Sequence, residues 1–534
     1  MRLVKASEMR EMDRLSIQEM GIPGAVLMEN AARGASRIFL EHFDPVEGSH
    51  VVFLCGRGNN GGDGYVMARY LHQAGLKVTV IVLAEFGKIS GDALTNLEII
   101  KRMELEIEEV PGPKQWSALS SCLEGCDFII DGILGTGLNS SVRDFYGQII
   151  KEVNLSGKPV MAVDIPSGLN ADNGQIMGVA VTAALTVTFG FPKLGHILFP
   201  GANLVGRLSR IDIGIPGIAA DRVTARYYMV EPDNFKDLFY TEKKDTHKGN
   251  RGHLLILAGS TGKTGAATLA ALGALRAGAG LVTLGIPKSL NNILEVKLTE
   301  AMTAPLPETA DGSLSLKAKK EIYDLVDGKT ALAIGPGLST SPETSALIRE
   351  IVAECGLPMV IDADGLNALA GKADSLKNLD EKKILTPHPG EMGRLTGLKS
   401  KDVQLDRLGV ATRFVEDYGC YLVLKGARTL ISEPGGGTYL NPTGNPALSS
   451  GGSGDVLTGI ISGFLARGWP LGKAAIAGVY IHGMAADLLA EDMGEAGVLA
   501  GELLDVIPGL MDSLSRNEWP LEIPPPFMDL YQTL

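Results

Sequence analysis

The chain has 534 residues, a formal net charge of −13, 45% hydrophobic residues and 21% charged residues. That length implies two or three domains of globular composition, and the acidic balance excludes a general nucleic-acid or anionic-membrane binder, which needs basic surface. No apolar run reaches the ~18 residues of a membrane span and the polar N-terminus is no signal peptide, so a soluble, cytoplasmic chain is expected.

Met9, Met12, Ile17 and Met20 mark a helix over residues 7–20, and Pro23 opens a second helix to about residue 40. Apolar, β-branched runs follow at 51–55, 78–83, 128–133, 160–165 and 185–189. Such runs read as strands of a parallel sheet covered by helices on both faces. Periodicity weakens after Ile215-Pro216-Gly217, and residues 241–251 are polar. A second series then runs at 254–258, 281–286, 331–334, 359–362, 383–386 and 421–424. The boundary is placed at 225–240, giving domains 1–225 and 235–534, each α/β and doubly wound. The proline-rich tail from Trp519 is expected to wrap the surface or fray. Cys55, Cys122, Cys126, Cys355 and Cys420 form no C-x-x-C and no paired zinc set, so buried, reduced thiols are expected.

After the first strand, Gly56, Gly58 and Gly61 satisfy G-x-G-x-x-G, with Glu85 at the end of the next strand. That spacing suits close backbone approach to a dinucleotide, with the carboxylate for a ribose. It also suits a plain tight turn, and the loop is unusual in carrying Asn59, Asn60 and Asp63. Asp131 and Asp164 end two further strands, each before a glycine-rich segment. Ligands of open parallel sheets bind beyond those strand ends, so these acids and the loop point to one crevice.

The segments GNNGGDGYVMAR, DGILGTGL, DIPSGLNADNG and FGFPKLG resemble the motif set of the NAD(P)H-hydrate epimerase family over residues 1–220. The resemblance implies a Rossmann-like domain. In it, Asn59, Asn60, Gly61, Gly62 and Asp63, with Gly135, Thr136, Gly137, Leu138, Asn139, Ser140 and Ser141, hold the hydrate. Asn60, Asp131 and Ser167 would bind potassium, and Asp164 would be the acid/base residue.

In the second half, Asn445-Pro446-Ala447-Leu448-Ser449-Ser450-Gly451-Gly452-Ser453-Gly454-Asp455 feeds an apolar helix. A glycine-rich turn into a helix start aims several N–H groups and the helix dipole at one spot, which suits a transferring phosphoryl group. Asp455 is expected to be kept ionised by that field and to take a proton from a substrate hydroxyl. Gly259-Ser260-Thr261-Gly262-Lys263-Thr264 imitates a P-loop, but Leu257 stands where its first glycine belongs.

The G-x-G-D element resembles the ribokinase-like superfamily, and in particular its ADP-dependent NAD(P)H-hydrate dehydratases, over residues 235–510. Agreement extends to HKGNRGHLLILAGSTGKTGAATLAALGALRAGAGLVT, to Gly335-Pro336-Gly337-Leu338, to the loop at His388 and to that at Lys425. By that resemblance Gly337, His388 and Asp455 contact the hydrate, while Lys425, Gly426, Ala427, Arg428, Thr429 and Gly454 contact ADP. Mg²⁺ would accompany the nucleotide, aided by Asp362 or Glu391. The resemblance implies cofactor repair: one half epimerises NAD(P)H hydrate and the other dehydrates the S form with ADP, giving AMP and phosphate. A homo-oligomer is expected. Three alternatives stand beside it: a vitamin-precursor kinase of the same superfamily, an NAD-dependent oxidoreductase, and a non-catalytic nucleotide-sensing or protein-binding N-terminal half.

Overall fold

The computed structural model describes residues 1–239, 247–372 and 379–516, together with Asp245, Ser375, Lys377, Glu518, Asp529 and Leu530. Residues 241–244 and 246 of the expected polar stretch and nearly all of the tail from Trp519 lie outside the described residues. The chain divides into two compact units between Tyr227 and Tyr228.

The first unit is built on a parallel sheet of β1 (His50–Cys55), β2 (Lys77–Val82), β3 (Glu106–Glu109), β4 (Phe128–Gly132), β5 (Val160–Val163), β6 (Leu185–Phe189) and β7 (Arg207–Ile211). Their order is β7-β6-β5-β4-β1-β2-β3, with the two-residue strand Asp529–Leu530 beside β7. Side chains alternate between two apolar layers. Val51 and Phe53 pack with Phe39, Tyr65 and Leu71 on one face. Val52 and Leu54 pack with Trp116, Ile149 and Val153 on the other. This double burial is why these strands read as continuous apolar runs. β3 and β7 were not foreseen: β3 ends the order, and both interleave charged residues with apolar ones. The first helix is α over Ala6–Arg14 and continues as a π turn over Leu15–Glu19.

The second unit holds β8 (His253–Leu257), β9 (Leu281–Pro287), β10 (Met302–Leu306), β11 (Ala331–Ile334), β12 (Met359–Ile361), β13 (Lys383–Leu385), β14 (Tyr421–Leu424), β15 (Leu430–Ser432) and β16 (Thr438–Leu440). The order is β16-β15-β14-β13-β12-β11-β8-β9-β10. β8 to β14 pair in parallel, and β15 and β16 add antiparallel strands. In each sheet the first strand, β1 or β8, lies between the second strand and a later one. The chain therefore reverses its winding there, which opens a crevice beyond the strand ends. Cys55, Cys126, Cys355 and Cys420 are buried and Cys122 half-buried, all as free thiols. No helix among the described residues is long and apolar enough to cross a membrane.

Candidate active sites

In the first unit the loop after β1 and the strand ends of β4, β5 and β6 surround a cavity of about 950 Å³. Asn59, Asn60, Asp63, Gly135, Thr136, Gly137, Leu138, Asn139, Ser140 and Asp164 line it. Gly61, Gly62 and Ser141 do not. A Cβ on Gly61 would stand 2.0 Å from the Gly56 carbonyl oxygen, and one on Gly62 2.8 Å from Met28. Gly61 lets the helix Asn59–Gln73 start against its own loop, and Gly62 lets that helix pack closely on Met28. Glu85 lies on the wall, ion-paired to Lys88 at 2.9 Å.

Asp164 holds a left-handed backbone, φ 63°. A non-glycine residue there carries strain that structures keep chiefly at functional sites. Its Oδ1 accepts bonds from Lys193 Nζ at 2.5 Å, Thr188 Oγ1 at 3.0 Å and the Phe189 amide at 3.2 Å. Oδ2 accepts none among the described residues. Burial pushes this carboxyl up, but the Lys193 charge and hydrogen bond outweigh it and hold the acid below its ordinary range. Asp131 is buried and accepts from Ser167 Oγ at 2.5 Å, the Ser167 amide at 2.7 Å and the Ile133 amide at 3.2 Å. Burial pushes it to about 6 against those bonds. The Asn60 side chain is beside Gly135, and its buried amide nitrogen has no partner among the described residues.

Lys193 stands within FGFPKLG, where the segment alone shows no role for it. Lysines rarely bury fully unless paired. The usable signal was its place just past the end of β6, facing an acid that ends β5. Asp13, also on the cavity wall, looked like an ordinary polar position of an amphipathic helix.

In the second unit the strand ends converge in the same manner. Asp362 follows β12, His388 and Glu391 follow β13, and Lys425 follows β14. Asp362 is buried and accepts from Lys425 Nζ at 2.7 Å and Thr458 Oγ1 at 2.7 Å. Lys425 Nζ also lies 3.9 Å from Glu391. His388 caps the helix Pro389–Thr396: its Nδ1 accepts from the amides of Gly390 at 3.0 Å and Glu391 at 3.4 Å. Burial, above all, lowers its pKa. Gly337 sits over Lys263, its carbonyl accepting from Ser260 Oγ at 2.7 Å. Lys263 meets Asp364 at 2.9 Å.

The glycine-rich turn enters the helix Ser453–Ala466, with Gly452 as N-cap and Asp455 in the first turn. Gly454 faces the Lys425 ammonium. The Lys425–Thr429 loop is braced by Arg407, which donates to the carbonyls of Ala427 at 2.5 Å and Leu424 at 3.0 Å. Thr429 Oγ1 donates to Gly426 O at 3.0 Å, and Arg428 donates to Pro442 O. Burial, with Asp362, Asp364 and Glu391 nearby, pushes Asp455 up to about 6, and Lys425 only partly offsets them.

The folds and the two strand-end sites define a two-domain α/β enzyme with a lysine–carboxylate centre in one unit and a phosphate-type helix entrance in the other. A family model described as NAD(P)H-hydrate dehydratase matches residues 254–509, and one described as YjeF-related protein N-terminus matches 24–195. The chain is 42% identical over 520 residues to the bifunctional NAD(P)H-hydrate repair enzyme Nnr of Moorella thermoacetica, covering 97% of this chain and 98% of that one. It is 32% identical over 513 residues to the enzyme of the same description from Escherichia coli, covering 95% and 93%. A crystal structure of the ADP/ATP-dependent NAD(P)H-hydrate dehydratase of Bacillus subtilis with ATP and Mg²⁺ aligns with TM-score 0.47 and 33% identity, over 54% of this chain and 98% of that one. The chain belongs to the family of bifunctional NAD(P)H-hydrate repair enzymes. Matching along both halves sets aside the vitamin-kinase, oxidoreductase and non-catalytic readings.

Proposed function

We propose that the first unit interconverts the R and S forms of NAD(P)H hydrate at Asp164, and that the second dehydrates the S form at Asp455 using ADP. The observation that carries this division is the pair of strand-end sites, each with its own carboxylate poised differently. Asp164 is held ionised by Lys193 and leaves Oδ2 unengaged, as a proton acceptor requires. Asp455, at about 6, is close enough to neutrality to take a hydroxyl proton and still be basic at cellular pH.

In the second unit the hydrate hydroxyl loses its proton to Asp455, and its oxygen attacks the β-phosphorus of ADP, releasing AMP. The N–H groups at the Ser453 helix start stabilise the transferring charge. The ring nitrogen's lone pair then expels phosphate, and loss of a proton from the neighbouring carbon restores the dihydropyridine. Gly337 and His388 would contact the hydrate, and Gly454 with the Lys425–Thr429 loop would contact the nucleotide. Magnesium, when bound, screens charge between phosphates and carboxylates. No group of three or more His, Cys, Asp or Glu side chains is placed to hold a metal among the described residues, and Mg²⁺ commonly keeps waters and takes phosphate oxygens. Asp362 and Glu391, beside Lys425, would aid it.

In the first unit Asn60, Asp131 and Ser167 offer an all-oxygen donor set of single charge, which fits potassium. The partnerless Asn60 amide supports that fit, because turning it end for end presents its oxygen instead. The ion would order the loop that holds the substrate.

Separate substitutions test the division. Asp164→Asn should abolish epimerisation and leave S-hydrate dehydration intact, and Asp455→Asn the reverse. Dehydration by the unaltered chain should rise with pH through about 6 as Asp455 ionises. Either substitution abolishing both activities in a folded chain would overturn the assignment.

A further inference from the structure

We propose that Asp13 is a second catalytic residue of the first unit, the general acid that works opposite the base Asp164; this rests on the epimerase reading above. Asp13 lies on the helix Ala6–Arg14, from which Met9, Arg10 and Asp13 reach the cavity wall, joined by Ile17 of the following turn. Steps of three and four residues put Arg10, Asp13 and Ile17 on one helical face. Asp13 is therefore on the side turned to the cavity, where an acid serving only solubility has no reason to be. The helix passes directly into the π turn Leu15–Glu19, closed by the Met20 amide on Leu15 O at 3.0 Å. Single π turns within helices recur at functional sites.

The carboxyl of Asp13 accepts no hydrogen bond among the described residues, whereas Asp164 accepts three on one oxygen. The charges that act on Asp13 are Lys193 and Asp164, and Asp63 is in turn affected by Asp13. Arg10 stands on the same helix, and Arg57, Glu85, Lys88 and Asp92 occupy other parts of the wall. His196 sits behind Lys193, its Nδ1 accepting from the Lys193 amide at 3.2 Å. Lys193 is committed to Asp164, Thr188 and the Phe189 carbonyl. Burial pushes Asp13 to about 6, with Asp164 adding to the rise and Lys193 opposing it. Two carboxyls in one cavity are thus driven apart, one towards the acid and one towards the base, which is the pattern of paired acid/base catalysis.

Inversion of the hydroxyl-bearing carbon needs both roles by either available route. In the first, Asp13 gives its proton to the hydroxyl, the C–O bond breaks, and the ring nitrogen's lone pair forms a C=N bond as water leaves. Water returns on the opposite face, a new C–O bond forms, and Asp164 takes the proton. In the second, Asp164 takes the hydroxyl proton, the C–N bond breaks to an aldehyde, and the nitrogen's electron pair takes the proton of Asp13. Bond rotation and ring closure then reverse both transfers. Neither route involves an oxidant or reductant. Asp63, the other raised acid, is buried at the start of its helix and less open than half-buried Asp13.

The test uses the full chain with Asp13→Asn, Asp63→Asn and Asp13→Glu. Conversion of R-enriched NADH hydrate is followed across pH with the uncatalysed rate subtracted, and S-hydrate dehydration is measured on the same preparations. The unaltered chain should lose epimerase kcat as pH rises through about 6. Asp13→Asn should lose that limb and about 10²-fold in kcat with little change in KM, and keep dehydration. Asp13→Glu should retain the limb, shifted. Unchanged rates in Asp13→Asn, or a limb lost in Asp63→Asn instead, would overturn the proposal. If Asp13→Asn does not fold, an unshifted limb in Asp13→Glu overturns it. An unaltered chain with no epimerisation above the uncatalysed rate would instead sink the epimerase reading itself, and Asp13 with it.

Discussion

The Lys193 ammonium is 1% exposed and donates to Asp164, Thr188 Oγ1 and the Phe189 carbonyl. Removing one member of a buried pair leaves the other charge without compensation, which costs about 3–5 kcal/mol. Lys193→Met should therefore destabilise the first unit and remove the cation that keeps Asp164 ionised. The sign follows from Asp164: without Lys193 its folded pKa lies above its unfolded one. The loss of stability is then small in acid and grows as pH rises through the carboxylate range. Thermal unfolding across pH checks this, and a Tm equal to that of the unaltered chain at neutral pH would contradict it. Adding Asp164→Asn should restore much of the stability and none of the epimerase activity.

At the scale of elements, the helix that carries Asp455 is set by close packing. A Cβ on Gly459 would stand 2.2 Å from the Ala270 carbonyl oxygen, so the helices Thr264–Arg276 and Ser453–Ala466 touch almost backbone to backbone. Gly459→Ala must push the second helix outward. Overpacking of this kind costs about 1–3 kcal/mol, and dehydration should fall while epimerisation persists; parallel assays of the two activities check it. The same packing shows what the sequence made legible. Strands buried on both faces stood out as apolar runs, and the glycine-rich helix entry and the strand-end acids marked the crevices. β10, with Pro305 at the end of its sheet's order, and the three-residue β15 and β16 gave no such run. The partners Lys193–Asp164 and Lys425–Asp362 were not legible either. They join residues 29 and 63 positions apart, and only the winding of each sheet brings them together. The upward shift of Asp455 was not legible, because it comes from burial and from three carboxylates on other segments.

For the whole molecule, both activities in one chain follow from the chemistry. A dehydratase site shaped for one epimer leaves the other behind, and interconversion at a second site makes the whole pool repairable. The overall charge of −13 is no obstacle to anionic substrates, because backbone N–H groups and local cations do the binding. The direct test adds purified chain to a mixed-epimer NADH hydrate with ADP and Mg²⁺ and follows the dihydropyridine absorbance. The account predicts a nucleotide-dependent rise that consumes both epimers in one continuous phase, faster than they interconvert unaided. A rise that halts once the S form is exhausted would contradict the epimerase half, and no rise with ADP or ATP would contradict the dehydratase half.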